Sequence, residues 1–252
     1  MSLPIRAGAA ITIVLVAGFV AFQTLGPGSG TRPIPSPSST PISTPLALPQ
    51  GNSCCLPLAA GTYLAQEPFP IRITFTLPDG WQGNLGGANA IFLERPLGAD
   101  FGRLDFTFPA SVFADACDAT KGQLKPAPGP SVDAFLNALV AIPGLRASAP
   151  TDVTFAGYAG KRTTLTPPAP STCTPSGDGE YPVWQLPLGA VNGIRPGDTQ
   201  TVTVLDVAGH RLVIASVAPT AAVDAEIQAI LSSMHIEPAP ATPARSASPA
   251  TG

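Results

Sequence analysis

Proline and glycine interrupt this chain too often for long regular elements: 31 Pro and 25 Gly stand among 252 residues, about double the usual share of roughly 12%. Proline removes a backbone donor and fixes φ, and glycine weakens helix and strand interiors. A chain of this kind therefore folds through short elements joined by many turns, or does not fold. The remaining composition decides between the two. Hydrophobic residues make up 44% and charged residues 12%, the reverse of the low hydrophobicity and high charge that keep a chain disordered. The net charge is −3 and no block of Lys or Arg occurs, which argues against nucleic acid, whose phosphates require clustered cations.

The ends read differently from the middle. From Ala7 to Phe22 the chain is apolar except for Thr12, and continued to Leu25 it reaches the length of about 19 residues that crosses a bilayer. Arg6 precedes this run and the next charge is Arg32, so the positive-inside bias places the N-terminus in the cytoplasm and the rest outside. Residues 1–25 are thus expected to form a cytoplasmic start and a single-pass transmembrane anchor. A cleaved signal peptide is the alternative, disfavoured because neither Phe19-Val20-Ala21 nor Thr24-Leu25-Gly26 makes a good small-x-small site. A lipoprotein is disfavoured because Cys54 lies far beyond the run.

Residues 26–50 alternate Pro with Ser, Thr and Gly, a composition that builds no core. At roughly 3.1 Å per residue in polyproline geometry, such a stalk reaches up to about 75 Å. Residues 238–252 read as a disordered tail by the same reasoning. The expected folded part, 51–237, carries all 16 acidic residues and ten of the 13 Lys and Arg, so its surface is mildly acidic and does not recruit polyanions.

Within that part, Ser131 precedes a stripe of Val132, Phe135, Leu136, Leu139 and Val140 with helical spacing, ended by Pro143-Gly144. Thr220 precedes a second stripe, Val223, Ile227, Ile230, Leu231 and Met234. Strand signals run over 71–77, 90–94, 103–108, 153–156, 161–166, 183–186, 200–207 and 211–217. Ala208-Gly209 joins the last two into a hairpin. Short links favour antiparallel pairing, because parallel neighbours need a long crossover. With each helix apolar on one side only, the expected fold class is α+β: an antiparallel sheet with helices packed on one face, preceded by a single transmembrane helix.

Cys54, Cys55, Cys117 and Cys173 form an even set beyond the expected membrane span, where thiols oxidise. Of three connectivities, one joins the adjacent Cys54 and Cys55 and leaves Cys117 with Cys173; the other two tie the exit of the stalk into the domain. A zinc site is disfavoured: no C-x-x-C occurs, and His210 and His235 lie far from the cysteines.

Catalytic readings fare poorly against bland ones. Ser29 and Ser176 match no G-x-S-x-G elbow. Asp206, His210 and Ser216 supply the residue types of a triad, but Ser216 lies six residues from His210, about 20 Å along an extended strand. Trp81, Tyr158, Tyr181 and Trp184 offer aromatic area for a groove, with core and corner roles preferred. Gly157 and Gly160 invite a phosphate cradle, but no helix follows; Lys161 and Arg162 beside them read as solvated strand residues. Asp100, Asp105, Asp115 and Asp118 match no calcium loop. No catalytic residue, metal ligand or cofactor is assigned.

The stretch Gly157 to Pro168, G-Y-A-G-K-R-T-T-L-T-P-P, followed by Cys173, Trp184, D-V-A-G-H-R-L-V-I from Asp206 to Ile214 and a final amphipathic helix, resembles a family of bacterial membrane-anchored extracytoplasmic domains with a PsbP-like α+β fold and no assigned activity. F-P-I-R-I-T-F-T-L-P-D-G-W from Phe69 to Trp81 and Asp115-Ala116-Cys117 are similar to further parts of its pattern. The resemblance spans about 69–236. It implies a Cys117–Cys173 disulfide and leaves Cys54 and Cys55 outside the pattern. Together these readings give the expected function: a non-enzymatic extracytoplasmic sensor or binding module of the bacterial envelope, held at the cell membrane by its N-terminal helix, whose partner is an envelope protein or a small ligand. A hydrolase with a spatially assembled site and a structural adaptor are the alternatives.

Overall fold

β-Branched and aromatic residues in short runs, each stopped by Pro, Gly or Asp, make strand the dominant element of the computed structural model, which describes residues 44–51, 55–65, 69–86, 89–177, 179–186 and 189–238. In chain order the elements are β1 (Leu46–Ala47), β2 (Leu56–Pro57), β3 (Gly61–Ala65), β4 (Ile71–Leu77), β5 (Gln82–Gly86), β6 (Ala90–Leu97), β7 (Asp100–Thr107) and β8 (Ser111–Val112), then α1 (Val132–Val140). They continue as β9 (Arg146–Ala147), β10 (Thr151–Phe155), β11 (Tyr158–Thr166), β12 (Tyr181–Gln185), β13 (Val191–Ile194), β14 (Gln200–Val207), β15 (His210–Val217), α2 (Ala221–Ser232) and β16 (His235–Pro238).

Nine strands form the central sheet, in the order β10-β11-β14-β15-β7-β6-β5-β2 with β9 also on β11, and every pairing in it is antiparallel. A second sheet runs β1-β3-β4-β16 and a third β13-β12-β8. The β14–β15 hairpin turns on Ala208 and Gly209, both at positive φ (52° and 85°), the geometry a two-residue hairpin loop requires.

The middle of the central sheet is buried on both faces, and alternation along β15 shows how. Leu212 and Ile214 belong to one apolar cluster, with Phe75, Phe106 and the α2 residues Val223, Ile227 and Ile230. Val213 and Ala215 belong to a second, with Trp184, Val202 and the α1 residues Phe135, Leu136 and Leu139. Successive strand side chains point to opposite faces, so the two helices cover opposite faces of the sheet. The β1-β3-β4-β16 sheet closes the first face together with α2, and the β13-β12-β8 sheet closes the second together with α1. Each fully buried Leu, Ile, Val or Phe contributes about 1.5–3 kcal/mol of transfer free energy.

This arrangement overturns the expected α+β class with helices on one face, and with it the PsbP-like fold. Strand accounts for 47% and helix for 14% of the described residues, a mostly β fold. The reason lies in segments that carry little apolar signal: β2, β5, β8, β9, β13 and β16 are short or rich in Gly, Pro and Asn, and tertiary pairing rather than propensity makes them strands. Leu46–Gln50, within the segment read as stalk, joins the fold: β1 pairs in parallel with β3, Leu48 is buried, and the Leu85 amide donates to the Pro49 carbonyl at 2.8 Å.

The expected anchor at 1–25, the stalk up to residue 43 and the tail beyond Pro238 lie outside the described residues. Among the described residues no helix is long and apolar enough to cross a membrane. Both helices begin where expected: the Ala134 amide donates to Ser131 Oγ at 3.1 Å and the Val223 amide to Thr220 Oγ1 at 3.3 Å.

Cys117 and Cys173 are joined, their Cα atoms 5.5 Å apart. Closing a loop of 56 residues in sequence separation contributes about 4 kcal/mol in the chain-entropy account. Two neighbours fit the bridge. Gly144 lies at φ +89° where a Cβ would come within 2.6 Å of Cys117 Sγ, and the buried Tyr181 hydroxyl donates to the Cys173 carbonyl at 2.9 Å. Cys55 is disulfide-bonded; Cys54 lies outside the described residues.

Candidate binding cleft

Strand β7 reads D-F-G-R-L-D-F-T, and its period of two sends Leu104 and Phe106 into the first cluster while Arg103, Asp105 and Thr107 turn toward the second face. Three polar side chains thus enter a space that elsewhere holds apolar ones. Asp105 is only 1% exposed. Burial of a carboxylate disfavours its charged form, and this is the main cause that raises Asp105 to a pKa of about 7. Arg103 works against the rise, and the charges of Glu94 and Glu180 add to it.

The covering sheet supplies the partners. Asn192 on β13 donates through Nδ2 to Asp105 Oδ2 at 2.9 Å, and its own Oδ1 accepts from Gln200 Nε2 on β14 at 3.1 Å. Arg103 donates through Nη2 to the Gly193 carbonyl at 2.5 Å and through Nη1 to Glu180 Oε1 at 3.4 Å. Its Nε lies 3.2 Å from Asp105 Oδ2, close enough for charge pairing although the N–H does not point along that line. These bonds form a polar seam between the central sheet and the β13-β12-β8 sheet.

The seam is incompletely satisfied. Asp105 Oδ1, Gln200 Oε1 and Thr107 Oγ1 are buried without a hydrogen-bond partner among the described residues, and each such atom costs about 1–3 kcal/mol. Asp105 also borders a cleft of about 230 Å³, walled by Phe92 and Glu94 of β6, Arg103 of β7, and Val191 and Asn192 of β13. Val191 stands at its rim, 44% exposed. A concave site with converging polar groups and an acid displaced from its ordinary pKa is the arrangement expected of a binding or reactive site.

Two other concavities among the described residues lack such a set. The groove between β4 and α2, about 490 Å³, is walled mostly by apolar atoms of Leu77, Pro78, Ala225 and Ala229. Its Glu226 is engaged by Trp81 Nε1 at 2.9 Å and Arg95 Nε at 3.0 Å. The hollow at the start of α2 is lined by Thr199, Thr201, Ser216, Thr220 and Asp224 and contains no buried charge.

The residues weighed in the sequence are placed apart. Ser216 pairs with Thr201 and His210 with Val207, at opposite ends of the β14–β15 hairpin, with Asp206 opposite Arg211; the three do not meet. Ser176 donates to the Glu180 carbonyl at 2.6 Å in a turn, not at a strand-to-helix elbow, and Ser29 lies outside the described residues. Trp81, Tyr181 and Trp184 are buried, and none of them lines the cleft. Tyr158 is partly buried against the first cluster. Gly160 sits mid-strand, where a Cβ would meet the Val204 carbonyl at 2.2 Å, so its lack of a side chain serves strand packing. Lys161 pairs with Asp152 at 2.9 Å and Asp133 at 3.4 Å, and Arg162 donates to Thr203 Oγ1 at 3.1 Å.

The four aspartates separate likewise. Asp100 binds Arg195 at 2.7 Å. Asp115 is held below the usual carboxylate range by its hydrogen bonds from Lys121 and the Cys117 amide, and Asp118 accepts from the Thr120 amide at 3.1 Å. Among the described residues no three His, Cys, Asp or Glu side chains are gathered as metal ligands. Only Asp105 borders the cleft, together with Glu94, Arg103 and Asn192, which the sequence alone does not single out. No family model matches the chain, and no curated protein matches it.

Proposed function

We propose that this protein is an extracytoplasmic binding module of the bacterial cell envelope, tethered by its apolar N-terminal run and taking a small ligand in the Asp105 cleft. The observation that carries the reading is Asp105 itself: a carboxyl 1% exposed, with one oxygen spent on Asn192 and the other unspent, bordering a cleft open at Val191. An acid retained in a core for packing alone would be better replaced by an apolar residue of similar volume. Three further features support the location. The apolar stretch from Ala7 to Leu25 is followed by a Pro-rich segment, the domain carries a disulfide of the kind that persists outside the cytosol, and no basic block draws it to nucleic acid.

Two experiments test the reading. Protease added to intact spheroplasts should remove the domain while leaving a short membrane-bound stub; protection of the domain would contradict the topology. Native mass spectrometry of full-length protein extracted in mild detergent should reveal a co-purifying small molecule lost on Val191→Trp, which closes the rim of the cleft. Retention of that molecule by the variant would place binding elsewhere.

A further inference from the structure

The chemistry of the cleft's ligand follows from which hydrogen-bonding groups are already spent. Arg103 donates through Nη2 to the Gly193 carbonyl and through Nη1 to Glu180, while its Nε, 3.2 Å from Asp105 Oδ2, makes no hydrogen bond. The Asn192 amide is spent on Asp105, and the Gln200 amide on Asn192. What Asp105 and Gln200 leave over is acceptor capacity. Asp105 Oδ1 is buried and unpartnered, and Gln200 Oε1 behind it is likewise unpartnered. A ligand that completes the Asp105 carboxylate must therefore bring an N–H or O–H donor.

Charge narrows the class. The groups facing Asp105 are Glu94 from β6, Arg103 from its own strand, Glu180 ahead of β12, Asn192 from β13 and Gln200 from β14. With Asp105 ionised, three carboxylates surround one guanidinium, so the local balance is negative and an anion is repelled. Phe92 supplies an aromatic wall beside the carboxylates, a surface that attracts a cation over its face. The volume of about 230 Å³ lies below the roughly 300–1,000 Å³ of drug-sized sites.

We infer that the Asp105 cleft binds a small organic cation bearing N–H donors, of the alkylammonium class, through the unspent Oδ1 of Asp105. The inference rests on the binding-module reading above and names its ligand class. Below neutrality Asp105 holds its proton, so the cation binds as that proton leaves: the carboxylic acid and the ammonium give a carboxylate–ammonium pair and one proton released to buffer. Affinity then rises with pH and levels off once the carboxyl is ionised in the free protein.

Full-length protein in detergent micelles is titrated calorimetrically with n-propylammonium, n-propanol and propionate from pH 5 to 8, alongside Asp105→Asn and Val191→Trp. The expected result is saturable one-to-one binding of n-propylammonium only, strengthening about tenfold per pH unit up to neutrality, and weakened at least tenfold in both variants. Should Asp105→Asn fail to fold, Val191→Trp still decides, because it alters the exposed rim and leaves the buried seam intact. Binding of propanol or propionate that is abolished by Val191→Trp would overturn the cation inference and leave the cleft as a binding site. Propylammonium binding unaffected by Val191→Trp, or no binding of any probe, would overturn both.

Discussion

The two faces of the central sheet are closed in different ways. On the first, the β1-β3-β4-β16 sheet and α2 meet strands β6, β7 and β15 through an unbroken apolar set that includes Phe75, Ile91, Leu93, Leu104 and Phe106. Its polar contacts stay at the margin, where Trp81 and Arg95 hold Glu226. On the second, α1 packs with equally apolar residues, but the β13-β12-β8 sheet meets the central sheet across Arg103, Asp105, Asn192 and Gln200, and a disulfide secures its approach. The first face is arranged for stability. The second gives up part of that stability by holding a buried, incompletely satisfied acid beside a cleft.

The contrast can be broken at several points. Phe106→Ala, in the first face, should lower unfolding free energy by about 3–5 kcal/mol in urea denaturation, the largest effect expected of a single truncation here. Replacing both Cys117 and Cys173 with Ala should cost about 4 kcal/mol and loosen the 173–194 region first, read as faster amide exchange in β12 and β13 than in β4. A loss confined to β4 would reverse the comparison.

Asp105 predicts a smaller effect of distinctive shape. Its folded pKa of about 7 stands above the value of about 3.9 in an unfolded chain, so between those limits the folded state binds more protons. Stability contributed by this group is complete below about pH 4 and declines as pH rises to about 7, by a few kcal/mol at most. Asp105→Asn should remove that decline and be relatively more stable at pH 8 than at pH 4. An unchanged profile would mean that the carboxyl is not desolvated. Smallest of all, Glu226→Gln at the margin of the first face should cost less than about 1 kcal/mol, because the Arg95–Glu226 pair is about a third exposed.

Much of the scaffold was legible before the structure. Strand-forming runs bounded by turn residues marked β4, β14 and β15, the capping residues Ser131 and Thr220 marked both helices, and Ala208-Gly209 marked the hairpin. The placement of the helices was not, because an amphipathic stripe says that one side is buried and not against which face. A sheet covered on both sides also hides its second cover when that cover is built from strands as short as β8 and β13. The cleft was less legible still. Asp105 was visible only as one of four aspartates, yet R-L-D-F-T carried a usable signal: a charge in mid-strand whose neighbours on both sides are buried apolar residues must itself enter an interior. Its partner Asn192 lies 87 residues away, and spacing in sequence could not join them.

The central claim is that Asp105 is a buried acid kept for a ligand, and a site-resolved titration of its carboxyl carbon by NMR tests it most directly. The account predicts a midpoint of about 7 in the free protein and a fall toward the ordinary carboxylate range when n-propylammonium saturates the cleft. A midpoint near 4 in the free protein, or one near 7 that no alkylammonium moves, would contradict it.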